Sequence, residues 1–252
     1  MTTSSTVDGE HRRRRLIDLL EREGGIRHES AATELGVSAM TIRRDLVEME
    51  AAGLVRRVRG GALPPFGPRP FRERSTVRAR AKAVIAEKAA RLLPAAGAIA
   101  IDASSTTGRL GASIGDRPDL IVATNSWENF TAVRNSAARP VLIGGELEAV
   151  TDSFVGPLAC RAAGAMQYRR FFASASAADA SRGTMDVTLA EAQVKQELAR
   201  SAEETILCVD SSKLGQRDIA VCLLWPDITA LITELDPRDA RLDAFRDLTE
   251  LI

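Results

Sequence analysis

Three things are scarce in this sequence, and each scarcity removes a class of protein. There are only three cysteines, Cys160, Cys208 and Cys222, which form no close pair and match no zinc-ligand spacing. Neither a disulfide framework nor a structural metal is therefore expected. Two of the three lie in apolar, strand-like runs where a small buried side chain fits, a pattern that suits a reduced, cytoplasmic protein. Long apolar runs are also missing: Leu92 to Ile101, the longest candidate, is interrupted by Pro94 and Gly97, whereas crossing a bilayer takes roughly 20 residues. No apolar core with a cleavage site follows Arg12–Arg15, so no secretory signal is expected either. Charge of one sign is the third absence. Lys+Arg and Asp+Glu stand at 34 each, so the field of the whole molecule attracts no nucleic acid, and any such affinity must be local.

Local charge is indeed segregated. Residues 1–62 carry 11 basic against 10 acidic groups, but the basic ones gather at Arg12–Arg15, at Arg43-Arg44 and at Arg56, Arg57 and Arg59. By residue 80 the balance is 16 basic to 11 acidic, so the stretch that follows leans positive and is read as solvated. A chain of 252 residues accommodates a small and a medium domain. Leu63 to Phe71, with four prolines and a glycine, marks the boundary between them. The expected division is a disordered, Ser/Thr-rich tail over 1–12, a DNA-binding domain over 13–62, a stiff extended linker over 63–76 and an α/β domain over 77–252.

The stretch Val37–Leu54 reads as a complete helix. Ser38 is a good N-cap, Gly53 a good stop, and Ile42, Leu46 and Met49 recur at the spacing of a buried stripe. Turning by about 100 degrees per residue places Arg44 opposite that stripe, with Met40, Thr41 and Glu48 beside it and Arg43 on a flank. Such residues near the start of a capped helix can reach guanine edges, a thymine methyl and phosphates. A solvated helix with a charged outer face fits this stretch equally well. Arg27–Leu35 reads as a preceding short helix joined through Gly36-Val37, the order of a helix-turn-helix. Leu16, Ile17, Leu19 and Leu20 give a first helix its apolar face, and Leu54–Ala62 suggests a hairpin wing carrying Arg56, Arg57 and Arg59.

Val37-Ser38, the run Thr41–Leu46, Gly53-Leu54 and Arg57–Ala62 together resemble the signature of the DeoR family of bacterial transcriptional regulators. Within that likeness Arg59 stands where a histidine is usual, Ala31 where a leucine is usual, and His28 at a usually apolar position. The resemblance implies a winged helix-turn-helix contacting operator DNA through Ser38, Met40, Thr41, Arg43, Arg44, Arg56, Arg57 and Arg59. His28 itself reads as a partly exposed residue near a helix start.

Beyond the linker, helix-like and strand-like segments alternate. Strands are expected near Ala98–Asp102, Leu120–Thr124, Val141–Ile143, Phe171–Ala175, Thr205–Asp210 and Ile228–Thr233, and helices near Val77–Leu93 and Thr107–Gly115. This alternation predicts an α/β domain with a mainly parallel sheet. Small polar residues follow the strands: Asp102 with Ser104, Ser105, Thr106 and Thr107, then Asn125, then Gly144 and Gly145, then Asp210 with Lys213. In open α/β sheets ligands bind at such strand ends. Ser104–Thr107 also opens a helix, so free N–H groups and hydroxyls can converge on an anion, with Lys213 balancing its charge. Each feature alone has a plainer reading as a cap, a turn or a surface pair.

Here too the sequence resembles the DeoR family, whose sensor domain is similar to ribose 5-phosphate isomerase and coenzyme A transferase folds and takes phosphorylated sugars. Ser104 replaces a usual glycine in the phosphate loop, and Ala173–Ser176 replaces a glycine-bearing stretch. The resemblance implies a regulator, most simply a repressor of a carbohydrate-related operon, without cofactor or metal. Its partners would be double-stranded operator DNA, a phosphorylated metabolite and further copies of itself as a homodimer or homotetramer. It would be cytoplasmic and nucleoid-associated when bound to DNA, with no membrane partner. The competing reading is a sugar-phosphate isomerase or acyltransferase with an appended DNA-binding module, using Asp102, Glu146, Asp152 or Glu191 as acid or base.

Overall fold

A computed structural model of the chain describes residues 3–65 and 67–252, with side-chain detail from residue 9 onward and not at Glu21. These residues form two compact units. One holds the chain up to Gly67 together with Thr76–Ala79, the other Pro68–Ser75 together with Arg80–Ile252.

The first unit contains α1 (Thr3–Glu23), β1 (Ile26–Arg27), α2 (His28–Leu35), α3 (Ala39–Ala51), β2 (Arg56–Val58) and β3 (Gly61–Leu63). Leu16, Leu19 and Leu20 of α1 pack with Ala31 of α2 and with Ile42, Leu46 and Met49 of α3 in one apolar cluster. The α2–α3 turn depends on Gly36, whose φ of 67° lies in the left-handed region and reverses the chain within one residue. A third strand joins the expected hairpin, giving the order β1-β3-β2. Gly61 permits this pairing, since a Cβ there would lie 1.8 Å from the Ile26 carbonyl oxygen.

Two expectations are corrected. The segment 3–12, read as a disordered tail, continues α1. It contains no proline, and Arg12 and Arg13 bridge to Asp45 and Glu48 on α3, which holds the helix where the tail was expected to end. Met1 and Thr2 lie outside the described residues. The second correction concerns the linker, whose later part is the helix α4 (Phe71–Thr76). The prolines stop at Pro70, which cannot continue a helix backwards but supplies the carbonyl that accepts from Arg74 N at 3.1 Å.

The second unit continues with α5 (Ala79–Ala90), β4 (Gly97–Ile101), β5 (Leu120–Thr124), α6 (Trp127–Val133), β6 (Arg139–Leu142), β7 (Glu146–Glu148), β8 (Ser153–Val155) and α7 (Gly156–Gly164). Then come β9 (Tyr168–Ala173), β10 (Ala177–Asp179), β11 (Gly183–Asp186), α8 (Leu189–Arg200), β12 (Ala202–Cys208), β13 (Ala220–Val221), β14 (Ala230–Ile232) and β15 (Glu250–Leu251). Seven strands form one sheet in the order β15-β14-β12-β9-β4-β5-β6, with every pairing parallel. Alternate residues face opposite layers: Ile99, Ile101 and Phe172 enter one apolar cluster, Ala100, Phe171 and Ala173 the other. The expected α/β domain and its six strands are present. The helix expected over 107–115 is a 3-10 helix, Thr107–Ser113. The β7–β8 hairpin and the small sheet β10-β11-β13 consist of strands of two to four residues, too short to leave a periodic signal.

The order of the large sheet positions the site. From β4 the chain steps outward through β5 and β6, then returns to the other side of β4 with β9. Between β4 and β9 successive crossovers diverge and leave a crevice at the carboxyl ends, beside Asp102 and Ser174.

Candidate functional site

The first unit presents α3. Ser38 caps it as expected: its Oγ accepts from Thr41 N at 3.1 Å and lies 2.9 Å from the Thr41 hydroxyl. Ile42, Leu46 and Met49 are fully buried, while Met40 is 65% exposed. Arg43 and Arg44 are exposed beside it. The basic residues are not equivalent. Arg12 forks onto the buried Asp45 at 2.5 and 2.9 Å, and Arg13 meets Glu48 at 2.5 Å, so both orient α3. Arg57 binds Glu50 through its Nε at 2.6 Å and its backbone N–H at 2.8 Å, tying the wing to α3. Arg56 is half-buried, and Arg59 stands exposed at the wing tip beside Gly60. His28 belongs to this surface. Burial first, then the nearby Arg43 and Arg57, hold its pKa below the ordinary histidine value. Its backbone N–H donates to the Gly60 carbonyl at 3.0 Å.

In the second unit, Asp102 at the end of β4 is fully buried. It accepts from Thr107 Oγ1 at 2.6 Å, Ser104 N at 3.1 Å and Ser174 N at 2.7 Å, and pairs with Lys195 at 2.9 Å. Asp102, expected as a ligand contact, has its carboxylate engaged by these donors, and the network forms a frame joining β4 to β9. Lys195 also reaches Asp186 at 2.8 Å and the Ser174 carbonyl at 2.8 Å. Burial would lower the Lys195 pKa, but Asp102 and Asp186 outweigh it and hold it high. Burial pushes the Asp186 carboxyl up to about 6 against the pull of Lys195. Desolvation also opposes ionisation of Asp102, yet Lys195 and the hydroxyl and amide donors keep its pKa low.

Above this frame lies the Ser104–Thr107 turn. Ser104 Oγ accepts from Thr107 N at 3.1 Å, while the N–H groups of Ser105 and Thr106 have no acceptor among the described residues. Cations that the sequence reading missed converge on the turn. Lys82 of α5, 6% exposed, donates to Ser105 Oγ at 3.0 Å and to the Arg74 carbonyl. Its pKa falls to about 7, chiefly by burial, with Lys213, Arg74 and Arg109 adding to the shift and Asp210 opposing it. Arg109 donates from Nη2 to the Ser75 carbonyl at 3.0 Å, whereas its buried Nε has no acceptor among the described residues. Arg74 stands behind the turn, with guanidinium bonds to the carbonyls of Arg69, Ala103 and Thr151.

Of the other expected contacts, Asn125 is buried with Nδ2 donating to the Phe154 carbonyl at 3.0 Å, and its Oδ1 meets no donor among the described residues. Lys213 lies in the electrostatic neighbourhood of Lys82. Gly144 borders open space, but Gly145 is a packing position: a Cβ there would lie 2.5 Å from the Val155 carbonyl oxygen. Asp210 turns inward and caps its own 3-10 turn by accepting from Ser212 N at 3.1 Å. Among the carboxylates of the enzyme reading, Glu191 is buried and accepts from Thr151 and Ser153, while Glu146 is exposed on β7. Asp102 is engaged by four donors, and Asp152 is hydrogen-bonded to Glu128, whose carboxyl is pushed above the ordinary range by burial and by that neighbour. No helix among the described residues is long and apolar enough to cross a membrane.

Comparison with known proteins covers both units. A family profile described as the DeoR-like helix-turn-helix domain matches residues 12–65, and one described as the DeoR C terminal sensor domain matches residues 77–235. The chain is 29% identical to the lactose phosphotransferase system repressor of Streptococcus mutans, over 96% of this chain and 98% of that one. It is also 29% identical to the HTH-type transcriptional regulator GlpR of Haloferax volcanii, over 92% and 91% respectively. Ribose 5 phosphate isomerase A from Neisseria gonorrhoeae overlays 54% of this chain and 53% of its own, at 17% identity and a TM-score of 0.38.

Proposed function

The chain belongs to the DeoR family, and from that premise we propose that it is a sequence-specific repressor of a carbohydrate-related operon, released or engaged by a phosphorylated sugar. The observation that carries the effector reading is Lys82, with Arg109 and Lys213 in its electrostatic neighbourhood, donating to Ser105 Oγ beside the unclaimed N–H groups of Ser105 and Thr106, at the point where the sheet order reverses. A phosphate supplies the acceptor that Arg109 Nε lacks and a negative charge that favours the Lys82 ammonium. Ser104 and Thr107 hold the turn, Gly144 leaves room, and Asn125 Oδ1 accepts from a sugar hydroxyl.

On the DNA side, Arg43 and Arg44 read base edges or phosphates, with Met40 and Thr41 beside them. Ser38 fixes the helix start, and Arg56, Arg57 and Arg59 place the wing along the backbone. The relatives named as repressor and transcriptional regulator support this assignment over catalysis, as does the commitment of Asp102 and Glu191 to internal partners. Helix-turn-helix proteins read paired half-sites, so the protein acts as a cytoplasmic homodimer or homotetramer, associated with the nucleoid while on DNA.

The test is operator binding at fixed salt with and without a panel of hexose, pentose and triose phosphates, each beside its unphosphorylated parent. Only phosphorylated members are expected to change operator affinity, by roughly 5- to 150-fold. Combining Lys213→Ala with Thr106→Val is expected to abolish that change. A normal response in this double variant, or a response confined to unphosphorylated sugars, puts the effector elsewhere.

A further inference from the structure

Lys82 is placed where it touches both the candidate anion turn and the path toward the DNA-binding unit. Its ammonium has three protons. One goes to Ser105 Oγ at 3.0 Å and one to the carbonyl of Arg74 in α4, and the side chain is 6% exposed. Arg74 in turn spans the Arg69, Ala103 and Thr151 carbonyls, and Arg109 donates to the Ser75 carbonyl, so α4 is held on the sensor unit by these two arginines together with Lys82. The chain leaves the sensor unit immediately after Ser75, since Thr76–Ala79 belongs with the DNA-binding unit.

We propose that Lys82 is the positioning residue that reports ligand occupancy to the linker: a phosphate seated on the Ser105–Thr106 turn takes its third proton, and the ammonium so fixed grips the Arg74 carbonyl and locks α4. The inference rests on the phosphate reading of the turn and assigns its output. Every charged group known to act on Lys82 bears on its protonation. Lys213 beyond β12, Arg74 on α4 and Arg109 on the 3-10 helix disfavour the cation, and Asp210 favours it. With its pKa near 7 in the unliganded protein, a large share of Lys82 is neutral in mildly alkaline solution. A neutral amine donates weakly, whereas an ammonium makes a charge-assisted bond. A phosphate dianion reverses the balance, so binding draws one proton from buffer onto Nζ and strengthens the bond to Arg74 without moving any other group.

The experiment uses the full chain and inorganic phosphate, followed by the phosphate esters of the panel above. Calorimetry in two buffers of different ionisation enthalpy is expected to show, at pH 8, uptake of a large fraction of one proton per site relative to Lys82→Arg, a difference that cancels the ligand's own ionisation and declines toward zero at pH 6. Hydrogen exchange is expected to slow at 105–106 and also at 71–76, by about tenfold in the latter. Lys82→Met should lose both the uptake and the slowing at 71–76. Lys82→Arg, always charged, should bind without uptake at this position and keep 71–76 slow even without ligand. Protection at 105–106 with neither proton uptake nor slowing at 71–76 overturns the relay and leaves the phosphate reading standing. Absence of protection at 105–106 with every phosphate overturns both.

Discussion

Both units set cations against carboxylates, but the DNA-binding unit does so near its surface and the sensor unit in its interior. The Arg57–Glu50 pair is 46% and 38% exposed at its two side chains, whereas Lys195 and Asp102 are 6% and 0% exposed. Exposed pairs contribute about 0–1 kcal/mol, so this contact braces the wing without fixing it strongly. A buried pair behaves differently, because removing one partner strands the other charge at a cost of about 3–5 kcal/mol. The difference separates an adaptable reading surface from a fixed frame. The Asp102–Lys195 network is closed off from solvent, while Arg43, Arg44 and Arg59 stand exposed on α3 and the wing.

The largest effect that sharpens this contrast is expected from Lys195→Met, which leaves Asp102 and Asp186 buried without their cation. Denaturant unfolding of the full chain should show the sensor transition losing about 3–5 kcal/mol. A midpoint unchanged from the parent protein would show that the network is not the frame. Next in size is the pair Arg44→Ala and Arg57→Ala. Arg44 is exposed on the outer face of α3, so its loss should cost about 1–3 kcal/mol of operator affinity. Arg57 is already engaged by Glu50, so its loss should cost less than about 1 kcal/mol. Equal losses in a salt-controlled titration would erase the distinction between reading and bracing arginines.

The smallest effect concerns His28. Its pKa is lowered in the free protein, so the stability it contributes is present above the ordinary histidine value and is lost as pH falls through the lowered one. DNA phosphate near Arg43 and Arg57 favours the protonated ring. Operator affinity should therefore rise as pH falls from 8 to 5.5, by about 1 kcal/mol or less, and His28→Gln should remove that slope. Parallel pH profiles for the two proteins would remove His28 from the DNA-facing surface.

Much of the architecture was legible because it rests on local patterns. Ser38, the Ile42–Leu46–Met49 stripe and the Gly36 turn announce α3, and short apolar runs followed by small polar residues announce the sheet and its binding edge. Lys82 and Arg74 were harder to find, since they arrive from helices distant in sequence, while Arg109 follows the turn directly but belongs to no motif that marks it. A signal did exist for Lys82: it falls on the buried face of α5 with Ile85 and Ala89, where a charge breaks the apolar pattern. Lys195 similarly interrupts the buried face of α8 between Ala192 and Leu198. Asp102 is hard to assign for the opposite reason. Strand-end position identifies a residue near the crevice, but whether its carboxylate faces ligand or is consumed by Ser104, Thr107, Ser174 and Lys195 depends on contacts spread over 94 positions of the sequence.

In the homodimer proposed above, the helix that replaces the later half of the linker would change how far apart the two copies can hold their DNA-binding heads. Six extended residues span about 20 Å, but the same six coiled as α4 advance only about 9 Å. The slack in each tether shortens accordingly, and what remains is stiffened by four prolines. A tether of that kind works as a ruler. Operators in which the two half-sites are moved apart by half a helical turn should lose cooperative binding, where a freely jointed linker would have let the heads follow the DNA around.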